Sequence, residues 1–448
     1  MKTTRPMRWI LFCAIALVAT AQTRASEADV VPINWTWFER RVPRNNNLQI
    51  AARLLLNAAR YNLAWAPAGA GKVENDWQNF TKVDPHNFTR PVCSVAVASA
   101  IVLKTGVFDE KAVGISRDEA LARTLRLIKA AARSHNRESW RYPWQSVPWA
   151  SDLAQAGWML WDQLDKETRR LLADIVEFEA NRFLAPDYRV PYWNGKGGDT
   201  KAEENAWNAT IHQIACAMMP KHPNAPRWKR IGSELMISAF ALEEDLKSGR
   251  VVDGKPVKDW LRGYNVRADG AVINHRIFHP DYMTCVNFNL HAHIVQSLAG
   301  QTVPEAADFR AEFVWRTLAA KKWPSPPYKP PGGTIYVPGQ AEVYYPQGTD
   351  WFKGRLAIYY NLDTWACVLG WGKDLPEPPE KWMHLRAAAI VKYQERHQDR
   401  HIYADDEFTN FVPREQSDFG GIANAYLALW LHARRALSPR GNWLAPPR

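Results

Sequence analysis

The chain has 448 residues, 46% of them hydrophobic and 23% charged, with a formal net charge of +11. That length suits one large domain or two, and past the first residues no apolar run is long enough to cross a bilayer, so no membrane partner is expected. The positive excess fits either a polyanionic partner or plain solubility, whereas zinc-finger spacing, RNP-like motifs and dense basic tracts are missing, which argues against nucleic acid.

In chain order, Lys2, Arg5 and Arg8 precede a short apolar run at 10–18 and the small residues Ala19 and Ala21. This pattern reads as a secretory signal peptide over residues 1–25, cut after Ala21 or Ala25, and implies a secreted or periplasmic protein. Removing those three basic residues leaves a charge of +8. Residues 26–448 then read as a single catalytic domain. Cys93, Cys216, Cys285 and Cys367 are widely spaced with no CxxC, which disfavours a structural zinc site. Buried free thiols are expected, with one disulfide left open.

Helical apolar spacing recurs over 49–64, 92–103, 117–132, 150–164, 166–183, 202–219, 228–247, 285–298, 306–320, 355–369, 381–395 and 418–436. Ser116 and Glu119 form a capping-box pattern. Strand alternation is confined to 334–337 and 342–345, and the Pro/Gly-rich stretch 324–333 reads as a long loop. Helices joined by loops of alternating length fit antiparallel pairs. Six or seven pairs closed into a ring make an all-α fold, a single (α/α) toroid with long aromatic loops.

Two stretches carry candidate chemistry. In the first, Asp199 and Thr200 are placed to cap a helix on which Asn205, Asn208 and His212 fall at i, i+3 and i+7, hence on one face. Asn205 and His212 lie about 10 Å apart along the axis, so they can flank a sugar ring. Trp207 sits beside them. The plainer reading is that the asparagines cap or face water and the histidine is a satisfied core residue. In the second, Asp269-Gly270 signals a turn and is followed by His275, Arg276, His279 and Tyr282. Pro280 and Asp281 place Tyr282 at a helix start, where a phenol can face a cleft or rest on a backbone carbonyl. His275 and His279 have metal-pair spacing, but no third ligand is evident, so no metal is expected. Trp140, Trp144 and Trp149, with Arg141 and Tyr142, suit either a sugar platform or rim packing. The loop 344–351 could line a cleft, and Asp405, Asp406 and Glu407 are a solvated acidic cluster or a cation holder. A Gly-rich phosphate loop, a GxSxG elbow and HExxH are all missing.

Glu204, Asn205, Trp207, His212, the Arg276 and Tyr282 pair, and the loop 345–351 together resemble the α/α-toroid polysaccharide lyases, most nearly the glucuronan and alginate lyases of polysaccharide lyase family 38. The resemblance extends to the helical layout over most of the chain. It implies Tyr282 and His212 as acid/base groups, Asn205 (or Glu204) neutralising the substrate carboxylate, and Arg276 assisting the tyrosine. In the chondroitin and hyaluronate lyases of similar shape the set is Asn–His–Tyr–Arg, on which pattern His275 takes the place of His212. Glu204, Trp207, Asn208, His275, Trp144 and Tyr345 are the expected substrate contacts. No cofactor is required, a structural cation is left open, and a monomer acting on an anionic polysaccharide is expected.

The chemistry also follows from the groups themselves. A uronate C5 proton leaves only when the adjacent carboxylate is quenched, and one well-placed donor is worth roughly 10²–10³ in rate. A positioned base takes the proton and an acid protonates O4. In 1,4-linked glucuronate or mannuronate both lie on one side of the ring, so one phenol can serve both steps. A neighbouring guanidinium would lower the phenol pKa and favour tyrosinate. The rivals are a toroid glycoside hydrolase, with Asp199, Glu204, Asp350 and Asp406 as candidate carboxylates, and a non-catalytic sugar-binding protein.

Overall fold

The computed structural model describes residues 24–39, 45–76, 85–351, 354–404 and 414–445. The expected leader up to residue 23 and the cluster Asp405, Asp406 and Glu407 lie outside them. Among the described residues, twelve long helices alternate between an outer and an inner layer. In chain order they are α1 (Asn46–Asp76), α2 (Pro85–Lys104), α3 (Arg117–His135), α4 (Ser146–Met159), α5 (Lys166–Asn181) and α6 (Ala202–Met218). Then come α7 (Ala225–Ala239), α8 (Val286–Ala299), α9 (Ala311–Ala319), α10 (Leu356–Leu369), α11 (Pro379–Gln394) and α12 (Arg414–Ala433).

The even-numbered helices touch in sequence, α2 to α4 to α6 to α8 to α10 to α12, and α12 returns to α2. The inner ring is therefore closed, and the inner helices pack chiefly on the outer helix that follows them, α2 on α3, α4 on α5, α6 on α7 and α10 on α11, with α12 returning to α1. This is an (α/α) toroid of six hairpins. The layers follow from sequence. Sixteen of the twenty residues of α2 are buried and fifteen of the seventeen of α6, as expected of helices apolar or small all round. Outer helices such as α3 and α5 keep a charged face in solvent.

Local signals hold the frame. Ser116 accepts from the Glu119 N–H at 3.2 Å, and Asp165 accepts from Thr168 N–H at 2.7 Å, so two outer helices start on side-chain caps. Pro67 lies inside α1, where it cannot bond the Leu63 carbonyl. The Arg123 guanidinium from α3 donates to that carbonyl instead, at 2.6 Å. Among the described residues, strands are two-residue pairs only. Tyr336 and Val343 form an isolated bridge within the two stretches expected to be extended.

The connections differ by end. Inner-to-outer turns are short, such as 160–165 and 219–224, while outer-to-inner connections include 182–201, 240–285 and 320–355. The long loops therefore gather over the N-terminal ends of the inner helices.

Candidate active site at the N-terminal end of the inner ring

Ionisable side chains from the first turns of the inner helices converge under those loops. Arg90 of α2 feels the charges of Arg355, Asp152 of α4, Arg414 of α12 and Tyr282. Tyr282 in turn feels Glu203 of α6, Arg355 and Asp350. Six helix N-termini facing one space add partial positive charge there. Burial and the neighbouring Arg355 push the Arg90 guanidinium down to about 10. Burial pushes Asp152 up to about 7, against its Ser94 hydrogen bond and Arg90. It likewise pushes Glu203 up to about 8.

The reactive groups sit on a hairpin and the turn after it. Ile273–Asn274 pairs antiparallel with Ile277–Phe278, and the two loop residues His275 and Arg276 have φ of 50° and 66°. Such a tight turn needs left-handed backbone at both positions, which non-glycine residues adopt at a cost. It is held by Thr200 N–H donating to the Ile273 carbonyl at 2.8 Å, by Arg276 N–H donating to Asp199 at 3.1 Å, and by Asn274 donating to Glu203. Asp199 and Thr200 are thus spent on the hairpin. The expectation that they cap α6 is corrected: Lys201 takes the cap position without a side-chain bond.

The turn aims His275 at Tyr282. The Tyr282 hydroxyl donates to His275 Nε2 at 3.2 Å, and His275 Nδ1–H donates to Asp350 Oδ2 at 2.7 Å. His279 Nε2–H donates to the other Asp350 oxygen at 3.2 Å. The Trp351 ring packs on Tyr282 at 4.9 Å and on His279 at 5.1 Å, and the Arg355 guanidinium lies 4.0 Å over the Trp351 centroid. Burial, reinforced by Cys285 and Glu203, raises the Tyr282 phenol well above its ordinary range, and Arg355 does not offset it. The resting group is a phenol, which corrects the expectation of a guanidinium-stabilised tyrosinate. For Asp350, burial works against ionisation, but the His275 hydrogen bond wins and holds it below the usual carboxylate range.

Several expected site residues lie elsewhere. On α6, Glu203 and Trp207 face this space. Asn205, two residues from Glu203, is rotated by about 200° onto the opposite side. Asn205 is buried and donates to the Pro191 carbonyl at 3.0 Å. Glu204 pairs with Lys201 at 3.0 Å. His212 donates from Nδ1 to the Asn208 carbonyl at 3.1 Å and packs edge-on against Phe183 at 5.1 Å. Burial pushes the His212 imidazole down to about 4, as for a core histidine. Arg276 is exposed at the hairpin tip, and the guanidinium that reaches Tyr282 is Arg355. Tyr345 is buried rather than lining a cleft. It donates to Asp281 at 2.9 Å, and Asp281 accepts from Arg355 at 3.0 Å, so Tyr345 braces the arginine. Trp144 is 55% exposed and meets Trp207 edge-on at 5.6 Å, leaving a flat face open.

Asp350, Trp351, Arg355, Arg90 and Glu203 were not singled out as site residues by sequence, apart from Asp350 as a hydrolase candidate. The available signal was the aromatic-polar loop 344–351, whose Gln347 side chain accepts from Phe278 N–H and ties the loop to the hairpin.

No protein-family model and no curated protein matches the chain. Among solved structures, an inactive variant of the α-1,6-mannanase GH76A of Salegentibacter sp., in complex with α-1,6-mannotriose, is similar at 12% identity and TM-score 0.38, over 82% of this chain and 99% of that chain. At that score the likeness adds nothing to the ring closure, which stands on the helix contacts.

Proposed function

We propose that the protein is an exported polysaccharide lyase that cleaves 1,4-linked polyuronates, glucuronan or polymannuronate, by β-elimination, with Tyr282 as the acid/base group. One observation carries the reading: the relay Asp350–His275–Tyr282, with contacts of 2.7 and 3.2 Å. Asp350 fixes the His275 tautomer with its proton on Nδ1, so Nε2 presents a lone pair to the phenol. The phenol proton moves to Nε2, and the imidazolium is stabilised by Asp350. The tyrosinate takes the C5 proton, the C4–O4 bond breaks, a C4=C5 double bond forms, and Tyr282 returns the proton to O4 as His275 gives back its own. Arg355 and Arg90 supply the field that quenches the uronate carboxylate. Asn274, pinned by Glu203 beside His275, is the amide in place of Asn205. Trp144 on Trp207 offers a face to a neighbouring sugar ring.

A hydrolase would need two carboxylates free to flank the bond. Asp350 is occupied by two imidazoles and Asp281 by Arg355, Tyr345 and Tyr359; Asp152, Glu203 and Asp418 are the carboxylates a hydrolase would have to use, and the product assay separates the two readings. The test is a panel of glucuronan, polymannuronate, polyguluronate, hyaluronan and chondroitin followed by ultraviolet absorbance. A conjugated unsaturated product is expected from the first two. Tyr282→Phe should lower turnover by about 10³-fold or more with unchanged circular dichroism. Reducing ends without new absorbance would sink the lyase reading in favour of hydrolysis.

A further inference from the structure

Beyond the reaction, we propose that His275, His279 and Asp350 form a binding site for a zinc-class divalent ion, and that this ion switches the Tyr282–His275 pair off. The site rests on geometry alone, and the switch rests on the reading of the reaction above. One ligand atom from each of the three residues lies within 4.8 Å of the others. A small closure brings them to the spacing that bonds of about 2.0–2.2 Å require. The sequence offered only the two histidines; Asp350, 71 residues beyond His279, supplies the third group. Its two oxygens already divide between the imidazoles, at 2.7 Å to His275 Nδ1 and 3.2 Å to His279 Nε2. Two imidazoles and one carboxylate suit zinc rather than magnesium or calcium, which prefer all-oxygen sets. Three protein ligands leave a fourth position for water.

The surroundings match a site held ready. His279 is fully buried, and the Tyr282 and Trp351 rings pack against it and fix its orientation. A metal-bound imidazole commonly donates its second ring N–H to an acceptor. For His275 that acceptor is the Tyr282 oxygen, 3.2 Å from Nε2.

The consequence follows from a single proton. Neutral His275 carries one ring proton, on Nδ1 facing Asp350 when no ion is bound. An ion that takes the Nδ1 lone pair sends that proton to solvent, and Nε2 takes one up, so the net count is unchanged. Nε2–H then donates to Tyr282 and can no longer receive the phenol proton. The base is lost without anything entering the sugar cleft.

The experiment is calorimetric titration of the intact, chelator-stripped protein with zinc sulfate, with magnesium chloride as the comparison. One zinc per chain and no magnesium uptake are expected. His279→Gln and Asp350→Asn should each weaken zinc by about tenfold or more while thermal unfolding shows both folded; should one fail to fold, the other carries the comparison. No zinc uptake by the unmodified protein, or equal uptake by a folded variant, overturns the site. In a parallel assay, saturating zinc should abolish unsaturated-product formation and chelator should restore it. Undiminished turnover with the site filled overturns the switch. If no polyuronate is cleaved under any condition, the reading of the reaction fails, while the zinc titration still decides the site.

Discussion

His275 and Arg276 occupy backbone conformations that glycine would adopt more easily, and the sequence around them pays for it with three anchoring hydrogen bonds. Strain of this kind costs on the order of 1–2 kcal/mol per residue. At position 275 it coincides with the imidazole that meets Tyr282, so the geometry has a use. At position 276 the side chain is exposed and the strain has none. Arg276→Gly should therefore stabilise the fold by about 1 kcal/mol, read as a higher Tm, and leave turnover within about twofold. Arg355→Met, by contrast, should cut turnover on polyuronates, because it removes a positive charge that acts on the phenol and takes the cationic partner from Asp281. Activity lost in Arg276→Gly and kept in Arg355→Met would reverse the assignment.

Helices decide where these residues meet. Five of the six inner helices place polar groups in or just before their first two turns: His86 and Arg90 of α2, Asp152 of α4, Glu203 of α6, Arg355 at the start of α10, then Arg414 and Asp418 of α12. The remaining length is packed and inert. The last hairpins are pinned differently. Arg386 of α11 is fully buried against Asp363 of α10, which also accepts from the Trp315 indole of α9 at 3.0 Å. Removing one partner of such a pair leaves an uncompensated buried charge. Arg386→Met should destabilise the protein by about 3–5 kcal/mol, measured by urea unfolding, whereas the double change Arg386→Met with Asp363→Leu should recover much of that loss. Equal stability of the single variant and the unmodified protein would mean that the pair does not hold the hairpin.

Over the whole molecule, ring closure buries many titratable groups that play no part in the site. His212 is one of them: its imidazole is pushed down to about 4 by burial. Between that value and the unfolded value of about 6.5 the unfolded chain binds the extra proton, so stability is complete above pH of about 6.5 and falls as pH drops towards about 4. His212→Leu should flatten this stretch of the stability curve, by up to a few kcal/mol at the acid end, in denaturant titrations between those pH values. Turnover at neutral pH should be close to normal, since His212 faces Phe183 and not Tyr282. A steep loss of turnover in that variant would return His212 to the mechanism.

The twelve helices were legible because apolar spacing is a local property: every stretch with period near 3.6 became a helix, and the alternation of loop lengths already carried the pairing. The number of hairpins required the tertiary structure, because nothing in the chain repeats at residue level and closure is a contact between α12 and α2. The site was half legible. Tyr282 and His275 lie seven residues apart and could be read together. Asn205, Asn208 and His212 share a face, but which face of a helix buried all round points inwards depends on its neighbours, and here the inward face carries Glu203 and Trp207. Asp350 meets His275 and Arg355 meets Asp281 across separations of 75 and 74 residues that include two helices, a distance over which spacing carries no information. Local periodicity is written into the chain; which end of the ring gathers charge, and which proton carriers touch, is decided only when the helices close.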